Sequence, residues 1–226
     1  MLSVIIPVYN ERETILKVIQ RVKQVPPYEK EVVVVDDGST DGTRELLLGL
    51  SELDARVIFH DRNRGKGAAL RTGFEYVTGD VLVIQDADME YDPGDWVEML
   101  RLIEEDKADV VFGSRFFGKA HRVLYFHHYM GNHLVCFLIN LLYDLNLSDV
   151  EVCYKMFRRA VLKGIQFTCN DFGFEVEFTA KVAKRRYRIY EVGIHYYGRT
   201  YDEGKKIKWW DGLKALYYIV KFRFWD

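Results

Sequence analysis

Asp86 and Asp88 stand one residue apart in Val81-Leu82-Val83-Ile84-Gln85-Asp86-Ala87-Asp88-Met89-Glu90, and their types and spacing suit metal chemistry. The apolar run Val81 to Ile84 reads as a buried strand. Both carboxylates therefore fall at a strand's C-terminal end, where open α/β sheets bind ligands. Two hard oxygen donors there suit Mg²⁺ or Mn²⁺, which takes one or two carboxylates and leaves positions for substrate phosphates. The competing reading is a pair of turn aspartates capping a helix near Pro93.

Two further strand ends carry the same kind of signal. Ser3 to Val8 leads into Tyr9-Asn10-Glu11, and Glu31 to Val35 leads into Asp36-Asp37-Gly38-Ser39-Thr40-Asp41-Gly42. Three polar strand ends aimed at one crevice fit a nucleotide. Tyr9 can stack on a base, Glu11 or Asp37 can accept hydrogen bonds from base or ribose, and the aspartate pair can hold a metal against a diphosphate. Asn63-Arg64-Gly65-Lys66-Gly67 adds a glycine-bracketed lysine at a helix start. Free N–H groups, the helix dipole and a cation make that an anion site. It is neither a Walker A loop nor the dinucleotide GxGxxG.

These groups need a scaffold, and the patterning supplies one. Asn10 to Glu13 reads as a capping box, with Ile15, Val18, Ile19 and Val22 on one face of the helix that follows. Val57 to His60 reads as a third strand, Gly67 to Val77 as a helix with Leu70, Phe74 and Val77 inward, and Asp109 to Phe112 as a fifth strand. Trp96, Leu100 and Ile103 mark the helix between strands four and five. This alternation predicts an α/β fold: a mostly parallel, Rossmann-like sheet with helices on both faces. The second half predicts an apolar helix near 124–146, a strand near Tyr154 to Phe157, a helix from Phe174 to Lys184, and strands at Arg188 to Val192 and Ile194 to Tyr197. A C-terminal amphipathic helix closes the chain.

At 226 residues and 49% hydrophobic content, one domain with its own core is expected. The boundaries predicted are a catalytic domain over 1–198 and a basic, aromatic segment over 199–226, which closes over the site or lies on a membrane. A net charge of −2 argues against a nucleic-acid partner. Cys136, Cys153 and Cys169 form no CxxC and read as reduced, buried thiols. The start Met-Leu-Ser-Val reads as a first strand rather than a signal peptide, and no run of about 18 uncharged apolar residues predicts a membrane span. No two of the six histidines lie at i, i+4, so a histidine metal site is not expected. From Arg199 to Asp226 seven Lys or Arg stand against four Asp or Glu, a net +3, interleaved with Trp209, Trp210, Leu213, Leu216, Tyr217 and Val220. That composition fits either an interfacial helix or a terminal helix packed on the core.

Taken in order and spacing, Pro7-Val8-Tyr9-Asn10-Glu11, Val35-Asp36-Asp37-Gly38-Ser39, Asn63 to Gly67, Asp86-Ala87-Asp88 and Gly113-Ser114-Arg115 resemble inverting family 2 glycosyltransferases of GT-A fold. Ser148 to Arg158 and Arg199 to Lys208 resemble segments of the dolichyl-phosphate mannose or glucose synthase branch. The resemblance implies transfer of mannose or glucose from GDP-mannose or UDP-glucose to a polyprenyl (dolichyl) phosphate, with Mg²⁺ or Mn²⁺ as cofactor. It implies that Pro7, Tyr9, Glu11, Val35 and Asp37 hold base and ribose. Asp86, Ala87 and Asp88 would hold metal, diphosphate and sugar, with Glu90 as a third metal ligand. Lys66, Arg115, Arg199, Lys206 and Lys208 would bind donor phosphates, with Asp88, Arg115 and Arg199 the catalytic set. The branch places an Arg before the long helix for the acceptor phosphate. Here Tyr125-Phe126-His127-His128 stands there, leaving Arg122, His127 and Lys205 for that task. A peripheral position on the cytoplasmic membrane face follows, with room for a separate membrane-anchoring subunit.

Three other functions compete. A GT-A enzyme acting on a soluble saccharide or protein would not need the helix near 124–146 and the basic tail on one surface. A sugar-nucleotide nucleotidyltransferase would carry a glycine-rich loop with Arg and Lys after strand one, where Tyr9-Asn10-Glu11 stands. A non-catalytic nucleotide-binding module would not need Asp86 and Asp88.

Overall fold

Runs such as Val32 to Val35 and Val81 to Ile84 have no polar alternation, which suits strands covered on both faces, and they are buried throughout. The computed structural model describes residues 1–27, 29–50, 55–204 and 209–225. Among these, β1 (Leu2–Val8), β2 (Lys30–Asp36), β3 (Arg56–Phe59), β4 (Val81–Ile84), β5 (Val110–Ser114), β6 (Lys155–Arg158) and β7 (Ile189–Gly193) form one sheet. Its order is β3-β2-β1-β4-β6-β5-β7. The pairings are parallel except those of β6, which runs antiparallel between β4 and β5. The helices are α1 (Ile15–Gln24), α2 (Thr43–Leu48), α3 (Lys66–Tyr76), α4 (Trp96–Glu104), α5 (Phe126–Tyr143), α6 (Phe174–Lys184) and α7 (Trp209–Phe224).

The chain leaves β1 toward β2 and β3, then returns to β4 on the other side of β1. The loops after β1, β2 and β4 diverge at that reversal and leave a crevice at the strands' C-terminal ends. Fully buried Val4, Ile5, Ile6, Val33, Val34 and Val35 anchor the central strands, each contributing about 1.5–3 kcal/mol of hydrophobic burial. α3 packs on β1 and β2. Gly73 permits the close approach, since a Cβ there would stand 2.6 Å from Ile5 Cγ2.

Three local expectations are corrected. Asn10 does not cap α1, which begins at Ile15 with Thr14 at its N-cap. Asn10 takes a left-handed φ of 51°, its N–H donates to Ser39 Oγ, and its Oδ1 accepts from Thr40 N, so it ties the β1 loop to the β2 loop. Ile194 to Tyr197 is not a strand: Tyr196 makes isolated bridges to Tyr91 and His121. Its hydroxyl is drawn instead to Glu90 Oε2, at 2.9 Å. α2 has no counterpart among the expected elements, because Gly42 and the preceding turn residues mask so short a helix.

The two readings of the C-terminal segment both hold in part. α7 packs on α5 and α6 through Ala215, Ile219 and Phe222, while Trp210, Leu213, Tyr217, Val220 and Phe224 remain exposed. α5 is similar: Val135, Cys136 and Ile139 are buried, and Phe126, Met130, Leu134, Phe137 and Leu141 are exposed. No helix among the described residues is long and apolar enough to cross a membrane. The three cysteines are free and buried, as expected.

Candidate active site

The divergent loops enclose a cavity of about 640 Å³. Pro7, Tyr9 and Glu11 reach it from the end of β1, Asp37 from β2, and Asp86, Ala87, Asp88 and Glu90 from β4. Lys66 at the start of α3, Arg115 just past β5, and Arg199 complete the expected set that lines it. Val35 is buried within β2 and is not part of the lining. Arg122 lies outside it, its guanidinium donating to Glu203 and to the carbonyl of Gly198. His127 also lies outside, its ring in tilted contact with those of Tyr125 and His128. His128 shares a hydrogen bond with Tyr201 of the cavity wall. Lys205, Lys206 and Lys208 fall outside the described residues.

Asp37 organises the loop that leads into α3. Its Oδ1 accepts from Arg64 N at 2.9 Å and its Oδ2 from Gly65 N at 2.7 Å. His60 Nδ1 sits 2.7 Å from Oδ1, while Nε2 pairs with Thr72 Oγ1. Gly65 then turns with φ 96° against the carbonyl of Asn170, a conformation costly for any side chain. This turn delivers Lys66 to the end of β4, 2.8 Å from Asp86 Oδ1. Lys66 Nζ is also 3.2 Å from Glu175 Oε1, and Glu175 is paired in turn with the fully buried Lys155. Burial alone would lower the Lys66 pKa, but Asp86, Cys153 and Glu175 outweigh it and hold the ammonium well above its ordinary value.

Arg199 draws the other carboxylates together. Its guanidinium lies 3.0 Å from Glu11 Oε1, 3.1 Å from Asp88 Oδ2 and 3.3 Å from Glu90 Oε1. Its backbone N–H donates to Glu90 at 2.8 Å. Between Asp88 and Glu90, Met89 is forced to a left-handed φ of 64°, a strained turn of the kind that accumulates at functional sites. Arg115 is held differently. It grips Asp149 with Nε and Nη2 at 2.6 and 2.7 Å and lies over the Tyr196 ring. Asp149 overcomes the effect of burial and holds that guanidinium well above its ordinary pKa.

Among the described residues nine carboxylates but three Lys or Arg side chains line the cavity. Burial, then Asp86 and Glu90, push the Asp88 carboxyl up to about 8, against the opposing pull of Arg199. The site is therefore short of positive charge at the aspartate pair, and the donors are hard oxygens, so a divalent cation fits. No three or more His, Cys, Asp or Glu among the described residues form a metal-holding group by themselves. Asp86, Asp88 and Glu90 are therefore not gathered as the expected three-carboxylate set; Glu90 is engaged by the Tyr196 hydroxyl and the Arg199 N–H. Glu151, Glu175, Tyr91 and Tyr196 line the cavity without having been expected there. Glu175 reads in sequence as an ordinary acid in a helix's first turn, and the others carry no signal.

The family model for glycosyl transferase family 2 matches residues 3–165. The chain belongs to glycosyl transferase family 2. It is 28% identical over 229 residues to the dolichol-phosphate mannosyltransferase of Pyrococcus furiosus, covering 97% of this chain and 64% of that protein. It is 26% identical over 210 residues to the dodecaprenyl-phosphate galacturonate synthase of Rhizobium johnstonii, covering 90% of this chain and 61% of that protein. The chain thus spans under two thirds of the length of these relatives. Among solved structures, glucosyl-3-phosphoglycerate synthase from Mycobacterium tuberculosis, in complex with Mn²⁺, UDP and glucosyl-3-phosphoglycerate, superposes with a TM-score of 0.74 at 20% identity. That match covers 98% of this chain and 79% of the other. The same enzyme with Mg²⁺ and UDP also gives 0.74. The likeness establishes the GT-A fold.

The raised Asp88 pKa sets a pH signature for the metal-free protein. The folded carboxyl titrates near 8, against about 3.9 in an unfolded chain. The fold therefore binds this proton more tightly, and the stability it contributes is full below about pH 4 and lost as pH rises toward 8. Asp88→Asn removes that loss. With chelator present, the difference in Tm between Asp88→Asn and wild type should grow from pH 5 to 8 and then level off. A difference independent of pH would count against the buried, crowded carboxylate.

Proposed function

We propose that this glycosyltransferase is an inverting, Mg²⁺- or Mn²⁺-dependent enzyme that transfers mannose or glucose from GDP-mannose or UDP-glucose to a polyprenyl (dolichyl-type) phosphate at the cytoplasmic membrane face. The observation that carries the reading is the Asp86–Asp88 pair at the end of β4, beside Lys66 and short of positive charge. The names of the Pyrococcus and Rhizobium relatives point to a lipid-phosphate acceptor.

In this reading Asp86 and Asp88 hold the ion, with Glu90 positioned by Tyr196 and Arg199 to fix the turn that presents them. The ion supplies Lewis-acid stabilisation to the departing diphosphate. Tyr9 and Asp37 lie on the base and ribose side, and Lys66 faces the diphosphate with the N-terminus of α3 behind it. The acceptor phosphate is already an anion at neutral pH, so no strong general base is required. One of its oxygens forms the bond to the sugar's anomeric carbon as the bond to the donor diphosphate breaks. The protein's task is to align these groups and stabilise the leaving charge. Arg199 supplies a further cation for phosphates; Lys206 and Lys208 are assigned to the donor phosphates, and Lys205, Arg122 and His127 to the acceptor phosphate. Arg115, clamped on Asp149, gives the wall a fixed, charge-paired guanidinium. A separate membrane-anchoring subunit is compatible with this arrangement.

The membrane contact is assigned to the exposed apolar faces of α5 and α7, which pack side by side, with Lys214, Lys221 and Arg223 on α7 adding charge. A soluble acceptor would leave these faces without a purpose.

A panel of GDP- and UDP-hexoses, offered with a short polyprenyl phosphate and Mg²⁺ or Mn²⁺, should yield nucleoside diphosphate and glycolipid. Asp88→Ala should slow that transfer by roughly 10²–10³ in kcat, the effect of losing one electrostatic contact of about 3–4 kcal/mol in the transition state. Near-normal turnover with unchanged metal dependence would remove the pair from the mechanism.

Each basic side chain near an anionic leaflet contributes about 1 kcal/mol, screened by salt. The purified chain should sediment with anionic liposomes at low ionic strength and leave them at high ionic strength. No binding at any salt, together with efficient transfer to a water-soluble sugar, would replace the lipid-phosphate reading with the soluble-acceptor one.

A further inference from the structure

Glu151 lines the same cavity as Asp86, Asp88 and Arg115, from the turn between α5 and β6. Its acidic neighbours are all engaged. Asp149 is gripped by Arg115, Glu175 lies between Lys155 and Lys66, Asp86 is paired with Lys66, and Glu90 accepts from Tyr196 and Arg199. Among the described residues no hydrogen bond or ion pair reaches Glu151, although Arg115 acts on it at longer range. Glu151 is half-buried in the cavity wall, so its carboxylate keeps contact with solvent. A ligand filling the cavity would strip that water and would have to replace it with hydrogen bonds of its own.

The sheet order says which part of the ligand. The base and ribose side is built at β1 and β2, and the aspartate pair follows β4. β6 lies next to β4 on the side away from β1. Cys153 and Tyr154, just before β6, touch Ile84 and Gln85 at the end of β4. Glu151 therefore stands beyond the diphosphate position, counted from the nucleoside. A phosphate is a poor neighbour for it, because like charges repel. Neutral hydroxyl donors suit it, since a carboxylate accepts two hydrogen bonds in a plane.

We propose that Glu151 is a specificity-determining residue for the transferred hexose, its carboxylate accepting hydrogen bonds from two of the sugar's hydroxyls. This rests on the sugar-nucleotide donor assigned above.

Calorimetric binding with Mn²⁺ present tests it on the full chain. The sugar nucleotide that turns over is compared with its nucleoside diphosphate, for wild type, Glu151→Ala and Glu151→Gln. Glu151→Ala should weaken the sugar nucleotide about tenfold, the size of one charged hydrogen bond, and leave the nucleoside diphosphate within about twofold. Glu151→Gln, which keeps one acceptor, should fall between. Unchanged diphosphate binding also certifies the fold of each variant. Parallel weakening of both ligands, or of neither, overturns the assignment. So does loss of turnover with sugar-nucleotide affinity intact, which would make Glu151 a base. If wild type binds nucleoside diphosphates but no sugar nucleotide, the donor reading fails and this inference fails with it.

Discussion

The guanidinium of Arg199 holds Glu11, Asp88 and Glu90 at one point, and those carboxylates come from the ends of two different strands. Without that cation, three partly buried acids would face one another in a low-dielectric wall. Removing one partner of such a cluster is far more damaging than the net worth of the pairs suggests. The loops after β1 and β4 and the chain at Arg199 are thus joined by charge compensation, beside the bridge between Tyr91 and Tyr196. Lys66 plays the matching part for Asp86 and Glu175.

Compensation is incomplete, and in the proposed function the shortfall has a chemical use. The Asp88 carboxyl is pushed up to about 8, so the apo site resists full ionisation. A nucleoside diphosphate alone would add negative charge to a wall already rich in carboxylates. A divalent ion arriving with it reverses the balance. Metal and donor are then expected to bind as a unit, which is an economical way to couple a cofactor to a substrate without a dedicated protein cage.

Much of this was legible in the chain itself. β1, β2 and β4 are largely apolar runs ending in polar clusters, so strand, end and crevice could be read together as a mostly parallel sheet, while the GT-A architecture came from the resemblance carried by the ordered motifs. The antiparallel placement of β6 was not legible, because four residues of Lys155–Arg158 carry no mark of direction. Asn10 misled because a cap-forming side chain serves equally well as a cross-link between loops, and the choice lies with Ser39 and Thr40, 29 and 30 residues away. Arg115 reads as a phosphate clamp in sequence, and its commitment to Asp149 depends on how β5 meets the turn before β6. Glu151 and Glu175 were invisible for the same reason: a lone glutamate acquires meaning from the wall it joins.

The coupling between metal and nucleotide is the most direct point of attack. Mn²⁺ binding to the wild-type chain can be followed by electron paramagnetic resonance, with and without saturating GDP or UDP. If Asp86 and Asp88 hold the ion against the diphosphate, the nucleotide should tighten Mn²⁺ at least about tenfold beyond its own affinity for the ion in solution, about 1.4 kcal/mol of coupling. Asp88→Asn should abolish that gain. Mn²⁺ affinity unaffected by either nucleotide, or a gain that survives Asp88→Asn, would contradict the assignment of this site.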